Sequence, residues 1–166
     1  FHEKKNIECH YITTGNEIVR QIEDIFGFTE HCPTLIEAIV LGTGTGGTLV
    51  GAGKRIKENY PNAKIVAVEP AESPVMSGGE AGLHGIQGIG DGSKFLVDLE
   101  KVDEVITIST KDAENKARQL AAKGFFVGIS SGANVLAAEK WVKENKPRGS
   151  VITILCDRGE RYMSIL

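Results

Sequence analysis

The residues Ala38-Ile39-Val40-Leu41-Gly42-Thr43-Gly44-Thr45-Gly46-Gly47-Thr48 constrain this chain more than any others. An apolar run of strand character stops at glycines interleaved with threonines, and the amphipathic segment Leu49 to Lys57 follows at once. A strand that feeds a glycine-rich turn and then a helix is a standard way to bind phosphate. Glycines let backbone N–H groups close on the anion, and the helix N-terminus adds partial positive charge. Glycine is also abundant overall, 20 of 166 residues against a usual ~7%. Most of the excess falls in Gly42–Gly53, Gly78–Gly92 and Gly124–Gly132. Such clustering points to close approach of backbone and ligand.

The remaining segments set the fold class. Asn16 to Phe28 places Ile18, Val19, Ile22, Ile25 and Phe26 at helical spacing. Ile36–Leu41, Lys64–Glu69, Val105–Ile108 and Val151–Leu155 read as strands. Helices are expected at Leu49–Lys57, from a Thr110 cap to about Lys123, and over Ser131–Glu144. Phe125–Gly128 reads as a short extended piece. Phe1 to Thr13 shows no clear period, and Ala71–Glu100 is a long packed loop with Met76, Leu83, Ile86, Ile89 and Phe95 among its glycines. Alternation of strands and helices predicts one α/β domain over residues 1–166, a mostly parallel sheet with helices on both faces. Ligands in such sheets sit beyond the carboxyl ends of the strands, which puts the Gly42 loop, Glu69 and the Cys156 turn at one rim.

Charge and cysteine usage narrow the function classes. A net charge of −3 gives no electrostatic reason to expect nucleic acid or an anionic membrane. No apolar run approaches the length of a membrane span, and three widely spaced cysteines make no disulfide framework. A cytoplasmic location is the default expectation. Cys9-His10 and His31-Cys32 fit usual zinc spacings poorly, so no metal is expected. Trp141, at helical spacing from Ala137 and Ala138, reads as packing.

Read alone, Gly42-Thr43-Gly44-Thr45-Gly46-Gly47 satisfies G-x-G-x-x-G. Glu69 stands at the end of the next strand, about 20 residues on, where a ribose-binding acid belongs. That permits an NAD-dependent Rossmann oxidoreductase. A glycine-rich turn without a ligand is the plainer reading of the same pattern. Segments far apart in sequence favour another ligand. His10-Tyr11-Ile12-Thr13-Thr14-Gly15, Gly44-Thr45-Gly46-Gly47-Thr48, Val68-Glu69-Pro70, Ile86-Gln87-Gly88-Ile89-Gly90, Gly128-Ile129-Ser130-Ser131-Gly132-Ala133 and Gly159-Glu160-Arg161-Tyr162 occur in one order. Together they resemble the cysteine synthase (O-acetylserine sulfhydrylase) family of pyridoxal 5'-phosphate enzymes, over essentially the whole chain.

The resemblance implies a two-domain α/β enzyme of which this chain is the phosphate-binding domain. It implies that Gly44, Thr45, Gly46, Gly47 and Thr48 cradle the cofactor phosphate, and that Gly88, Ile89 and Gly90 close over the cofactor beside the substrate. Glu69, next to Pro70, then reads as structural. Cys156 becomes the neutral partner of the pyridine nitrogen, in a Cys-Asp-Arg-Gly segment similar to the B-type isozyme. Its plainer reading is a small buried hydrophobe.

Asp91 stands where many cysteine synthases carry a small uncharged residue. A carboxylate there repels hydrosulfide and suits a general base that draws a proton from water. L-cysteine would then pass through an aminoacrylate intermediate to L-serine and H2S, with O-acetylserine sulfhydrylation as the alternative reaction. The plainer reading makes Asp91-Gly92 a solvated turn. Ser130 and Ser131 read as helix caps.

The family's cofactor-bearing lysine segment, of Asn-Pro-x-x-Ser-x-Lys type, has no counterpart here, nor has its Thr-Ser-x-Asn-Thr loop. Lys54 and Lys57 are helical and read as exposed. The chain also opens at Phe1 and stops at Leu166, short of the family's end. The expected partners are therefore the missing N-terminal part of the same enzyme, a small amino-acid substrate and, as is common in the family, a second copy in a homodimer. A chain standing alone would be a non-catalytic phosphate-binding module.

Overall fold

The computed structural model describes residues 3–27, 35–93 and 96–165. Its centre is a four-stranded parallel sheet in the order β3-β2-β1-β4. The strands are β1 (Ile36–Gly42), β2 (Lys64–Pro70), β3 (Glu104–Ile108) and β4 (Ser150–Ile152). The helices are α1 (Lys4–His10), α2 (Asn16–Phe26), α3 (Gly47–Asn59), α4 (Thr110–Ala122) and α5 (Ile129–Asn145), with a π-helical turn at Tyr11–Gly15. The expected fold class holds, with helices on both faces.

Side chains of successive strand residues point to opposite faces, and here both faces are apolar. Ala38, Val40, Val66 and Val68 pack under α4 and α5 with Ile108, Ala113, Ile129, Ala133, Ala137 and Trp141. Ile39, Leu41, Ile65 and Ala67 pack under α2 and α3 with Val19, Leu49, Ala52 and Ile56. Each fully buried aliphatic side chain contributes about 1.5–3 kcal/mol, so the two layers clamp the sheet and hold its carboxyl rim still. Trp141 is in the core as expected, and its Nε1 also donates to Glu104.

Several expectations change. Residues without a visible period form α1, which reaches α3 through close contact with glycines. The C-terminal helix starts at Ile129 with Gly128 as its cap, so Ser130 and Ser131 lie in its first turn and do not cap it. Helix α4 is capped by Ser109, whose hydroxyl accepts from Asp112 N, while Thr110 Oγ1 accepts from Gly85 N in the long loop. Strand β4 ends at Ile152. Beyond it Thr153 Oγ1 donates to Val40 O at 2.7 Å and Asn134 Nδ2 donates to Ile154 O at 2.9 Å, so side chains replace the ladder. Phe125–Gly128 survives as one bridge, Val127 to Arg158. Lys54 is exposed, as expected, and lies over the Tyr11 ring, whereas Lys57 is half-buried and ion-paired with Asp103. Ile25 and Phe26, expected on the apolar face of α2, are largely exposed. Phe28, His31, Cys32 and Phe95 lie outside the described residues. Among the described residues no helix is long and apolar enough to cross a membrane.

Candidate functional site

At the carboxyl rim β1 runs into Gly42, and the chain turns through Thr43–Gly46 into α3. Gly46 caps that helix with φ 85°. The N–H groups of Thr45, Gly46 and Thr48 meet no acceptor among the described residues. Gly44, Thr45, Gly46 and Thr48 line a cavity of about 470 Å³. Three open donors, two hydroxyls and a helix N-terminus suit a compact dianion such as the phosphate of pyridoxal phosphate. Gly47 is one step removed, inside the first turn and packed against Asn6.

The threonine hydroxyls are held from behind by α1. Asn6 Nδ2 donates to Thr45 Oγ1 at 3.1 Å. His10 Nε2 lies 3.1 Å from Thr48 Oγ1, and its Nδ1 lies 3.0 Å from Thr14 Oγ1. His10 thus spends both ring nitrogens on hydroxyls. These bonds tie the His10–Gly15 segment to the cradle.

The same cavity is lined by Ser130, Cys156, Arg161 and Tyr162, and by Gly88 and Ile89 of the long loop. Asn134, fully buried on α5, ties the rim together. Its Oδ1 accepts from Gly42 N at 2.7 Å, and its Nδ2 serves Ile154 O and the Cys156 sulfur. Ser131 Oγ accepts from Cys156 N at 2.9 Å. Cys156 is exposed and so is no buried hydrophobe, yet partial desolvation of the sulfur is the main cause that raises its thiol above the ordinary value, and the Asp157 charge adds to it. Tyr162 donates to Asp157 Oδ2 at 2.6 Å, and burial together with that bond pushes its phenol up to about 12. Cys156 therefore presents a neutral thiol to the cavity at neutral pH. Its alkylation by iodoacetamide, followed by mass spectrometry, is expected to accelerate only above the ordinary thiol range (about pH 8.5). An inflection below that value would show a thiolate site instead.

Glu69 does not reach this cavity. Its buried carboxylate accepts from Met76 N at 2.7 Å, Ser77 N at 2.9 Å and Ser77 Oγ at 2.6 Å, which pins the long loop to β2. A carboxylate so engaged is unavailable to a ribose, and the dinucleotide reading loses its acid. Gly90 N donates to Thr43 O at 3.0 Å, which docks the Gly88–Gly90 loop onto the cradle. Asp91 follows it but is exposed and borders a different hollow, with Ala81, Leu83 and His84. Asn134, Asp157, Arg161 and Tyr162 are not among the site residues the sequence singles out, while Ser130, read there chiefly as a cap, lines the cavity. Ser130 and Asn134 were detectable, because they are polar residues four apart on the buried face of α5.

A family model for pyridoxal-phosphate dependent enzymes matches residues 1–157. A cysteine synthase of Staphylococcus aureus is 43% identical over 168 residues, covering 99% of this chain and 51% of the relative. Cysteine synthase B of Campylobacter jejuni is 42% identical, covering 99% of this chain and 52% of the relative. Among solved structures, a hydrogen sulfide-producing enzyme from Fusobacterium nucleatum matches with a TM-score of 0.90 at 39% identity, over 99% of this chain and 48% of that one. The chain spans about half the length of the relatives it matches. Cradle, cavity and relatives agree, and the chain belongs to the pyridoxal-phosphate dependent enzymes.

Proposed function

We propose that this chain is the phosphate-holding part of an enzyme that performs pyridoxal-phosphate-dependent β-replacement on L-cysteine or O-acetyl-L-serine, with sulfide release from L-cysteine as its leading reaction. The observation that carries the reading is a single cavity lined both by open phosphate donors and by Cys156. When bound, the cofactor supplies an electron sink for bonds at the substrate's α-carbon. Thr45, Gly46 and Thr48 bind the phosphate. Cys156 would be the uncharged partner of the pyridine nitrogen, which would keep the sink moderate. Gly88, Ile89 and Gly90 close the substrate side. Asp91 takes a proton from the water that replaces sulfur on the β-carbon: a C–S bond breaks, a C–O bond forms, and hydrosulfide leaves as L-serine is made. The lysine that carries the cofactor in the family has no matching segment here, so the reading concerns a full-length enzyme, taken as a cytoplasmic homodimer.

The match to cysteine synthases favours a second reaction, sulfhydrylation of O-acetylserine. Rates of sulfide release from L-cysteine and of cysteine formation from O-acetylserine, measured on the full-length protein, separate the two. The first is expected to dominate, and a dominant second would exchange the readings. A protein with no aldimine-type absorption band and neither activity would overturn both.

The cradle itself offers a sharper test. A β-carbon at Gly44 would stand 2.6 Å from Gly88 O, a backbone atom that cannot swing aside. Gly44→Ala should force the two loops apart, an overpacking cost of about 1–3 kcal/mol, and weaken pyridoxal phosphate binding roughly ten- to a hundredfold. Unchanged affinity in a fluorescence titration would mean that the Gly88 loop has no part in the cofactor site.

A further inference from the structure

Asn6 stands on α1 behind the cavity, with its amide laid against the backbone of Gly47. A β-carbon at Gly47 would come within 2.4 Å of Asn6 Oδ1, so only glycine there admits the amide so closely. From this position Nδ2 donates to Thr45 Oγ1 at 3.1 Å. The N–H of Gly47 approaches the same oxygen, at 3.4 Å. A hydroxyl has two lone pairs and one proton. With both lone pairs engaged from the protein side, the remaining capacity of Thr45 is its O–H donor, and Thr45 lines the cavity.

We propose that Asn6 is a positioning residue that commits the Thr45 hydroxyl proton to the bound phosphate, which rests on the reading of the cradle as the cofactor-phosphate site. Without an amide donor behind it, the hydroxyl is free to turn, and in some orientations it faces the anion with a lone pair. The cost then falls on phosphate affinity while the backbone N–H groups keep their places. The role also gives a use to the close seat of Asn6 on Gly47, a glycine that does not line the cavity.

The test uses the full-length enzyme, stripped of cofactor and titrated with pyridoxal phosphate, and separately with inorganic phosphate as competitor. Asn6→Leu keeps much of the side-chain volume and removes the donor. It should raise the dissociation constant about tenfold, the scale of one hydrogen bond to a charged group, and shift the phosphorus resonance of the bound cofactor. In a Thr45→Val background the same change should add nothing, since no hydroxyl is left to orient. Asn6→Asp, isosteric but an acceptor, should bind more weakly than Asn6→Leu because it takes the Thr45 proton for itself. Unchanged affinity in Asn6→Leu, or an equal loss with and without the Thr45 hydroxyl, would overturn the role and leave Asn6 as packing. A wild-type protein that binds neither ligand would overturn the cofactor reading as well, and the two failures are distinct.

Discussion

Replacing Asn134 by leucine is expected to destabilise the protein by about 3–5 kcal/mol, since stranding each buried polar group costs about 1–3 kcal/mol. The side chain is fully buried and holds three separate pieces: the end of β1 through Gly42 N, the backbone after β4 through Ile154 O, and the Cys156 sulfur. Leucine keeps the volume, so the loss measures polar satisfaction and not a cavity. At about 2–4 °C per kcal/mol for chains of this size, thermal unfolding should move down by roughly 10 °C. Asn134→Asp should not rescue it. An aspartate retains an acceptor for Gly42 N but turns an acceptor toward Ile154 O and brings a charge into a buried place. Removing the Asn134 donor also removes one of the bonds that lower the Cys156 thiol, so that thiol should move further up. A shift of only one or two degrees for Asn134→Leu would mean that the rim does not depend on this amide.

Asn134 also marks where sequence reading stops. The strands were legible because a parallel strand buried on both faces is a continuous apolar run, as Ala38–Leu41 and Ile65–Val68 are. The cradle was legible because open N–H groups at a helix start need glycine and hydroxyl residues in one short stretch. Helix α1 was not. It packs on α3 through Asn6, Ile7 and His10 against Gly47 and Gly51, so the fit comes from missing side chains and not from an apolar stripe. The caps were misplaced for a local reason. Ser109 and Thr110 both carry hydroxyls, and tertiary contact with Gly85 decided which one turned inward. Ser130 and Ser131 matched a cap pattern, yet their first-turn position turns Ser131 toward Cys156 N and Ser130 into the cavity. Beyond Ile152 the apolar run to Leu155 reads as strand, and only the competing bonds from Thr153 and Asn134 end it.

Asp91→Asn should reduce sulfide release from L-cysteine at least a hundredfold in the full-length enzyme, because a general base typically supplies about 10²–10⁴ in rate. Asparagine keeps the shape of the Gly90-Asp91-Gly92 turn. The two glycines have φ values of 71° and 76°, and Gly92 N donates to Gly90 O at 2.8 Å, so the backbone does not depend on the carboxylate. Asparagine cannot accept the proton of an attacking water. Synthesis of cysteine from O-acetylserine and sulfide needs no such base, and loss of the negative charge removes repulsion of hydrosulfide, so that rate should hold or rise. The two reactions thus move in opposite senses, which a general loss of folding or cofactor cannot imitate. The position of Asp91 sets the strength of this test. The carboxylate is exposed, and it lies outside the cavity that holds the cradle, on a loop whose preceding residue is docked to Thr43. To act as the base it must reach substrate from the Gly90-Asp91-Gly92 loop, since it is no part of the wall of that cavity. A solvated turn, the competing reading, leaves both rates unchanged in Asp91→Asn and removes Asp91 from the mechanism.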